Sequence, residues 1–190
     1  FMAKWSNKYP GQSGHIHMSL KNKVSGESAF YDKTDAHHMS QTQKQFLAGV
    51  QKLLPEFLCL FAQTVNSYSR LIPGFWAPTE ATWGFENRTT ALRVIEGSPK
   101  SQRIEVRIGS ADANPYIALA ATLAAGLYGI ENKLQPSAVT LGNAYAVDHP
   151  KELHFPRTLW EAAQGLRQSE AAKQYLGAEF VDHYAATREW

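Results

Sequence analysis

Ala91-Leu92-Arg93-Val94-Ile95, then Glu96-Gly97-Ser98-Pro99, then Arg103-Ile104-Glu105-Val106-Arg107-Ile108 is the stretch whose reading decides the fold. Residues 91–95 and 103–108 are short strand candidates. Glu96-Gly97-Ser98-Pro99 between them is turn or loop. On the second strand Arg103, Glu105 and Arg107 share one face. A solvated ladder of ion pairs would produce the same triplet, so the triplet alone does not define a site.

Working outward, residues 82–86 form a third strand candidate. His15-Ile16-His17-Met18-Ser19-Leu20 alternates polar and apolar, a strand with His15, His17 and Ser19 on one face. Residues 21–27 make a hairpin-like connection from which 28–31 could pair back. From residue 40 to about 54 the apolar positions Phe46, Val50, Leu53 and Leu54 keep helical spacing. Pro55 is expected to break that helix, with a second one running to about 63. Residues 66–78 are rich in turn formers. Asp112-Ala113-Asn114-Pro115 opens a helix to about Glu131, with proline where helix starts prefer it. A connection over 135–156 leads to helices near 158–167, 170–175 and 178–188. Strands early and helices late predict an α+β fold: an antiparallel sheet covered by helices, with a helix-rich C-terminal half.

The 190 residues are 44% hydrophobic and 19% charged, an ordinary globular balance. A net charge of +2 offers nothing to nucleic acid or an anionic membrane. No apolar run reaches the ~18–20 residues that span a bilayer. The single cysteine, Cys59 within Phe57-Leu58-Cys59-Leu60-Phe61, reads as an inert core thiol and suits a cytoplasmic protein. The first residues lack a signal-peptide pattern, and the last still look helical. The expectation is therefore a piece of something longer.

Three clusters carry chemistry: His15-x-His17, Asn87-Arg88-Thr89-Thr90-Ala91-Leu92-Arg93, and Arg103-Ile104-Glu105-Val106-Arg107. Two imidazoles two apart on a strand can share a metal, and ordinary surface histidines show the same spacing. Together the clusters suit a polyphosphate held against a divalent metal, because guanidinium groups pair bidentately with phosphate and carboxylate oxygens.

In this order, Asn66-Ser67-Tyr68-Ser69-Arg70-Leu71-Ile72-Pro73-Gly74, Asn87 to Arg93, Ser98 to Arg107 and Ala111-Asp112-Ala113-Asn114-Pro115-Tyr116 closely resemble the glutamine synthetase catalytic domain. The histidine strand lies upstream at the family's place. The resemblance implies that residues 1–190 are the C-terminal part of one such domain, contributing part of its half-barrel. It implies an ATP-dependent ligase that works with Mg or Mn and joins glutamate to an amine through γ-glutamyl phosphate. His15 and Glu105 match metal ligands. His17 and Ser19 match nucleotide contacts, Arg93 and Arg103 match contacts to the ATP phosphates, and Lys100 lies near the nucleotide edge. Arg70 and Arg107 match arginines that hold glutamate and its acyl phosphate, and Arg88 matches the one that stabilises the transferred phosphoryl group. A ring-shaped homo-oligomer is implied for the full-length protein.

Two departures bear on function. After Pro73-Gly74-Phe75, the family's glutamate of the ammonium pocket is replaced by Trp76. An indole can pack on the alkyl part of a larger amine or take its cation over the ring. This resembles the γ-glutamylpolyamine and γ-glutamylamide branch. The expected amine is larger than ammonia, with an ammonia-using synthetase as the alternative and a non-catalytic structural relative as a remote one. The second departure is that the small N-terminal domain and the upstream strands with further carboxylate ligands are absent, so the fragment alone is expected to be inactive.

Overall fold

A computed structural model of the chain describes residues 2–189. Four short strands, β1 (Ile16–Met18), β2 (Trp83–Phe85), β3 (Leu92–Ile95) and β4 (Arg103–Val106), form one sheet in the order β1-β4-β3-β2. Alternation along these strands separates two kinds of surface. Ile16, Met18, Leu92, Val94, Ile104 and Val106 pair with one another and belong to or pack on the core. On the opposite face His17 and Arg93 lie on either side of Glu105.

The α+β expectation holds, with one amendment: the sheet is mixed, because β2 runs parallel to β3. Parallel neighbours usually need a crossover of about a dozen residues or more. Here residues 86–91 suffice, since the strands are short and Glu86 turns the chain with a left-handed φ of 47°.

Among the described residues there are six α-helices, α1 (Gln41–Phe61), α2 (Val65–Tyr68), α3 (Pro115–Glu131), α4 (Leu159–Gln168), α5 (Glu170–Leu176) and α6 (Ala178–Ala186), and the apolar side of the sheet joins them in one core, with α1 against α3 and α4, α5 against α3 and α6, and α4 against α6. The expected break at Pro55 does not occur; α1 runs through it. A proline inside a helix costs about 3 kcal/mol. Leu53, Leu54, Phe57, Leu58 and Phe61 are buried on both sides of it, and each contributes about 1.5–3 kcal/mol. Packing outweighs local propensity. Helix α2 overlaps the start of the stretch expected to be rich in turns, and is held by a capping box between Thr64 and Ser67. Helix α3 starts where the sequence indicates, with Asn114 capping the Tyr116 and Ile117 amides and Pro115 in the first turn.

Helices α1 and α3 cross backbone to backbone. A Cβ added at Gly129 would lie 2.1 Å from the Gln45 carbonyl, and one at Gly49 would lie 2.2 Å from that of Ala125. Helix α6 packs against α4 and α5, and its Tyr184 hydroxyl donates to the Cys59 carbonyl at 3.0 Å. Burial pushes the Cys59 thiol up to about 12, so it is the inert core group expected. Among the described residues no helix is long and apolar enough to cross a membrane.

Candidate functional site

A carboxylate at mid-strand, only 3% exposed, stays charged only if partners replace its water, and Glu105 has several. Its Oε1 lies 2.8 Å from His15 Nδ1, 3.1 Å from Arg107 Nη1 and 3.7 Å from His17 Nε2. Its Oε2 accepts from Arg93 Nη1 at 3.2 Å. Burial alone would raise the Glu105 carboxyl, but Arg107, His15 and Arg93 outweigh it and hold the group below its ordinary value. Burial, then the Arg107 charge, holds His15 below its ordinary value too, so the imidazole is kept neutral against Glu105. Ser13 Oγ, 2.9 Å from His15 Nε2, is positioned to serve the other ring nitrogen.

The remaining arginines are arranged around this centre. Arg93 Nε also donates to Glu86 at 2.9 Å, so this guanidinium bridges two carboxylates. Arg103 donates from Nε to His17 Nδ1 at 3.1 Å, linking it to the Glu105 group through the histidine. Arg70 is 2% exposed, and burial lowers it to about 10. Its guanidinium donates to the Ile108 carbonyl, one residue beyond Arg107. Glycine at position 11 is what admits the Arg70 stem: an added Cβ would lie 2.8 Å from its Cγ and 2.2 Å from the Ala3 carbonyl.

Arg88 is exposed in the loop between β2 and β3. Asn87 Nδ2 donates to the Gly142 carbonyl at 2.8 Å, and Thr89 Oγ1 accepts from the Ala144 amide at 2.9 Å. These bonds fasten the Arg88 loop to residues 140–144. Trp76 is 64% exposed with a left-handed φ of 59°, next to Phe75, whose ring has the Lys4 ammonium 4.5 Å from its centroid.

The geometry thus brings together His15, His17, Arg93, Glu105 and Arg107, with Arg103 and Arg70 attached. Ser19 and Lys100 are exposed at the ends of connections and take no part in the Glu105 group. Glu80 faces His154 at 3.3 Å and His149 at 3.7 Å. Sequence reading missed Glu86 as the second partner of Arg93. It also missed the Asn87 staple, whose partners are more than 50 residues away.

Chemically, the polar sheet face offers a concentration of fixed guanidinium groups and one nitrogen–oxygen donor pair. A neutral imidazole and an ionised carboxylate suit a divalent cation. Among the described residues no group of three or more His, Cys, Asp or Glu could hold a metal ion.

Residues 1–190 match the family model described as glutamine synthetase, catalytic domain. The chain is 49% identical to the type-1 glutamine synthetase 2 of Dictyostelium discoideum, matching all of this chain and 37% of that protein. It is 42% identical to a glutamate–isopropylamine ligase of a Pseudomonas species, again over the whole chain and 41% of the relative. A solved structure of apo GmaS superimposes with a TM-score of 0.86 at 31% identity, covering 100% of this chain and 44% of that one. The chain therefore spans about two fifths of the length of the relatives it matches. With the motifs, the sheet register and these likenesses in agreement, the chain belongs to the glutamine synthetase catalytic-domain family.

Proposed function

We propose that this chain is the acyl- and phosphoryl-handling part of an ATP-dependent ligase that forms a γ-glutamyl amide from glutamate and an organic amine. The side-chain carboxylate of glutamate attacks the γ-phosphorus of ATP, and ADP leaves. The amine, having lost a proton, then attacks the acyl carbon, and phosphate departs. Arg70 and Arg107, buried and cationic, hold the glutamate oxygens, while Arg88 in its stapled loop meets the transferred phosphoryl group. Arg93 and Arg103 face the ATP phosphates, with His17, Ser19 and Lys100 toward the nucleotide. Fixed guanidinium groups aimed at developing negative charge need no reorganisation during the reaction. His15 and Glu105 would hold Mg or Mn, whose charge offsets that of the phosphates when bound.

The observation that carries the amine assignment is Trp76, whose indole is largely exposed where the family pattern has a glutamate. A relative named as a glutamate–isopropylamine ligase supports the same reading. The second reading, ammonia as the amine, has support in a relative named a glutamine synthetase at 49% identity. Under either reading the full-length protein is a cytoplasmic homo-oligomeric ring without nucleic-acid or membrane partners.

The deciding assay supplies the full-length protein with ATP, Mg, glutamate and a panel of ammonium, putrescine, spermidine, ethanolamine and small monoamines. Product masses should show an organic amine ligated and ammonium used poorly. Trp76→Glu should move the preference toward ammonium by roughly 2- to 30-fold, the range a cation–ring contact supplies. Glutamine as the preferred product of the wild type would replace this reading with the ammonia one.

A further inference from the structure

Lys4 is 3% exposed, and its ammonium has no hydrogen-bond partner among the described residues. A buried cation in that condition is costly unless something else supplies negative potential. The face of the Phe75 ring does so: Lys4 Nζ lies 4.5 Å from the ring centroid, within the range of a cation–π contact. The lysine is itself held from behind. Its amide donates to Asn66 Oδ1 at 2.8 Å, and its carbonyl accepts from Asn66 Nδ2 at 2.7 Å. The Ala3 carbonyl before it accepts from the Gln12 amide at 2.8 Å.

Phe75 belongs to a turn that lies largely outside the core. Between buried Arg70 and buried Ala77, residues 71–76 are all partly or fully exposed. The Phe75 amide donates to the Ile72 carbonyl at 3.2 Å, and Gly74 and Trp76 both carry a left-handed φ, 82° and 59°. A bulky residue keeps such a conformation only when its surroundings impose it. The Trp76 indole is too exposed to impose it, so the constraint falls on Phe75 before it and Ala77 after it.

We propose that Lys4 is a positioning residue for amine selection: its ammonium, seated on the Phe75 ring, fixes the turn that presents Trp76 to an organic amine. The inference rests on the reading of Trp76 as the amine selector. Lys4 acts through Phe75 and not on the reacting atoms. An aliphatic side chain of the same length would fill the same space, but it would lack the attraction that ties the ring, and with it the turn, to the clamped backbone of residue 4.

The test uses the full-length protein with ATP, Mg, glutamate and the organic amine it ligates best in the panel above, and measures KM for each substrate. Lys4→Met keeps the side-chain length and removes the charge, and a thermal melt checks the fold. KM for the amine should rise roughly 2- to 30-fold, with KM for ATP and for glutamate unchanged. Lys4→Arg, which keeps a cation for the ring, should hold the amine KM within about twofold of the wild type. Phe75→Leu removes the ring and leaves the lysine. It should raise the amine KM as Lys4→Met does, and the double variant should add nothing further. Unchanged amine KM in whichever of Lys4→Met and Phe75→Leu folds, with the wild type still preferring an organic amine, overturns the role of Lys4 and leaves the amine reading standing. An equal rise in all three KM values overturns it too, since the turn would then not be the part affected. A wild type that prefers ammonium overturns both.

Discussion

Glu105 and Glu80 each face two imidazoles, His15 and His17 in one case, His149 and His154 in the other, yet their surroundings differ in every other respect. Glu105 sits on a central strand, nearly sealed from water, with Arg93 and Arg107 bonded to it. Glu80 is partly exposed, pairs with no arginine among the described residues, and meets its histidines where residues 153–155 run antiparallel to 79–81. The same trio of side chains thus serves two ends. Buried among guanidinium groups, it becomes the organising charge of the polar sheet face. Near water and without them, it acts as a clasp that holds the 144–155 segment against the strand edge.

The contrast can be tested by deletion, and the largest effect belongs to Glu105→Ala. Removing this carboxylate strands Arg93, Arg107 and His15 around a hole. Loss of one partner from a buried ion pair costs about 3–5 kcal/mol. Urea denaturation should show a loss of that size and turnover should vanish. A loss under about 1 kcal/mol would mean that Glu105 is no better integrated than Glu80.

A smaller and more selective effect concerns acid. Because burial and Arg107 hold His15 below its ordinary 6.5, the unfolded chain takes up a proton below that pH which the folded protein refuses. Stability therefore falls as pH drops from about 6.5, until the folded imidazole titrates as well. Glu105, held below its ordinary 4.5, gives a second loss as pH falls through its folded-state value. His15→Asn should flatten the first phase and leave a second phase in place, measured as denaturation midpoints against pH in the presence of EDTA. An unaltered first phase would place the titrating group elsewhere.

The smallest change is expected for Glu80→Ala, below about 1 kcal/mol, as for other partly exposed pairs. Raising salt should erase it, whereas the Glu105 deletion should respond little, since buried pairs are screened less. Equal salt sensitivity at the two sites would remove the distinction drawn here.

These two sites also differ in how legible they were. The Glu105 group could be read because strand period two puts His15 with His17, and Arg103 with Glu105 and Arg107, on single faces. Its strands carry their own turn signals, and helix α3 announces itself through Asn114-Pro115. The Glu80 clasp could not be read, since its histidines lie some 70 residues away in a connection without periodicity. The Pro55 misreading has the opposite cause: a strong local signal lost to burial that only the assembled core supplies. The parallel pairing of β2 with β3 turned on the conformation of Glu86, a residue whose type does not advertise a left-handed turn.

Trp76 carries a backbone φ of 59°, a region where a bulky residue is strained by about 1–3 kcal/mol. Glycine or asparagine would relax that turn. A laboratory selection for heat tolerance alone would thus be drawn to replace the residue proposed above to choose the amine. Any consensus or thermostabilising redesign of this protein should hold position 76 constant, because under the proposed amine role the gain in robustness and the loss of discrimination come from one and the same substitution.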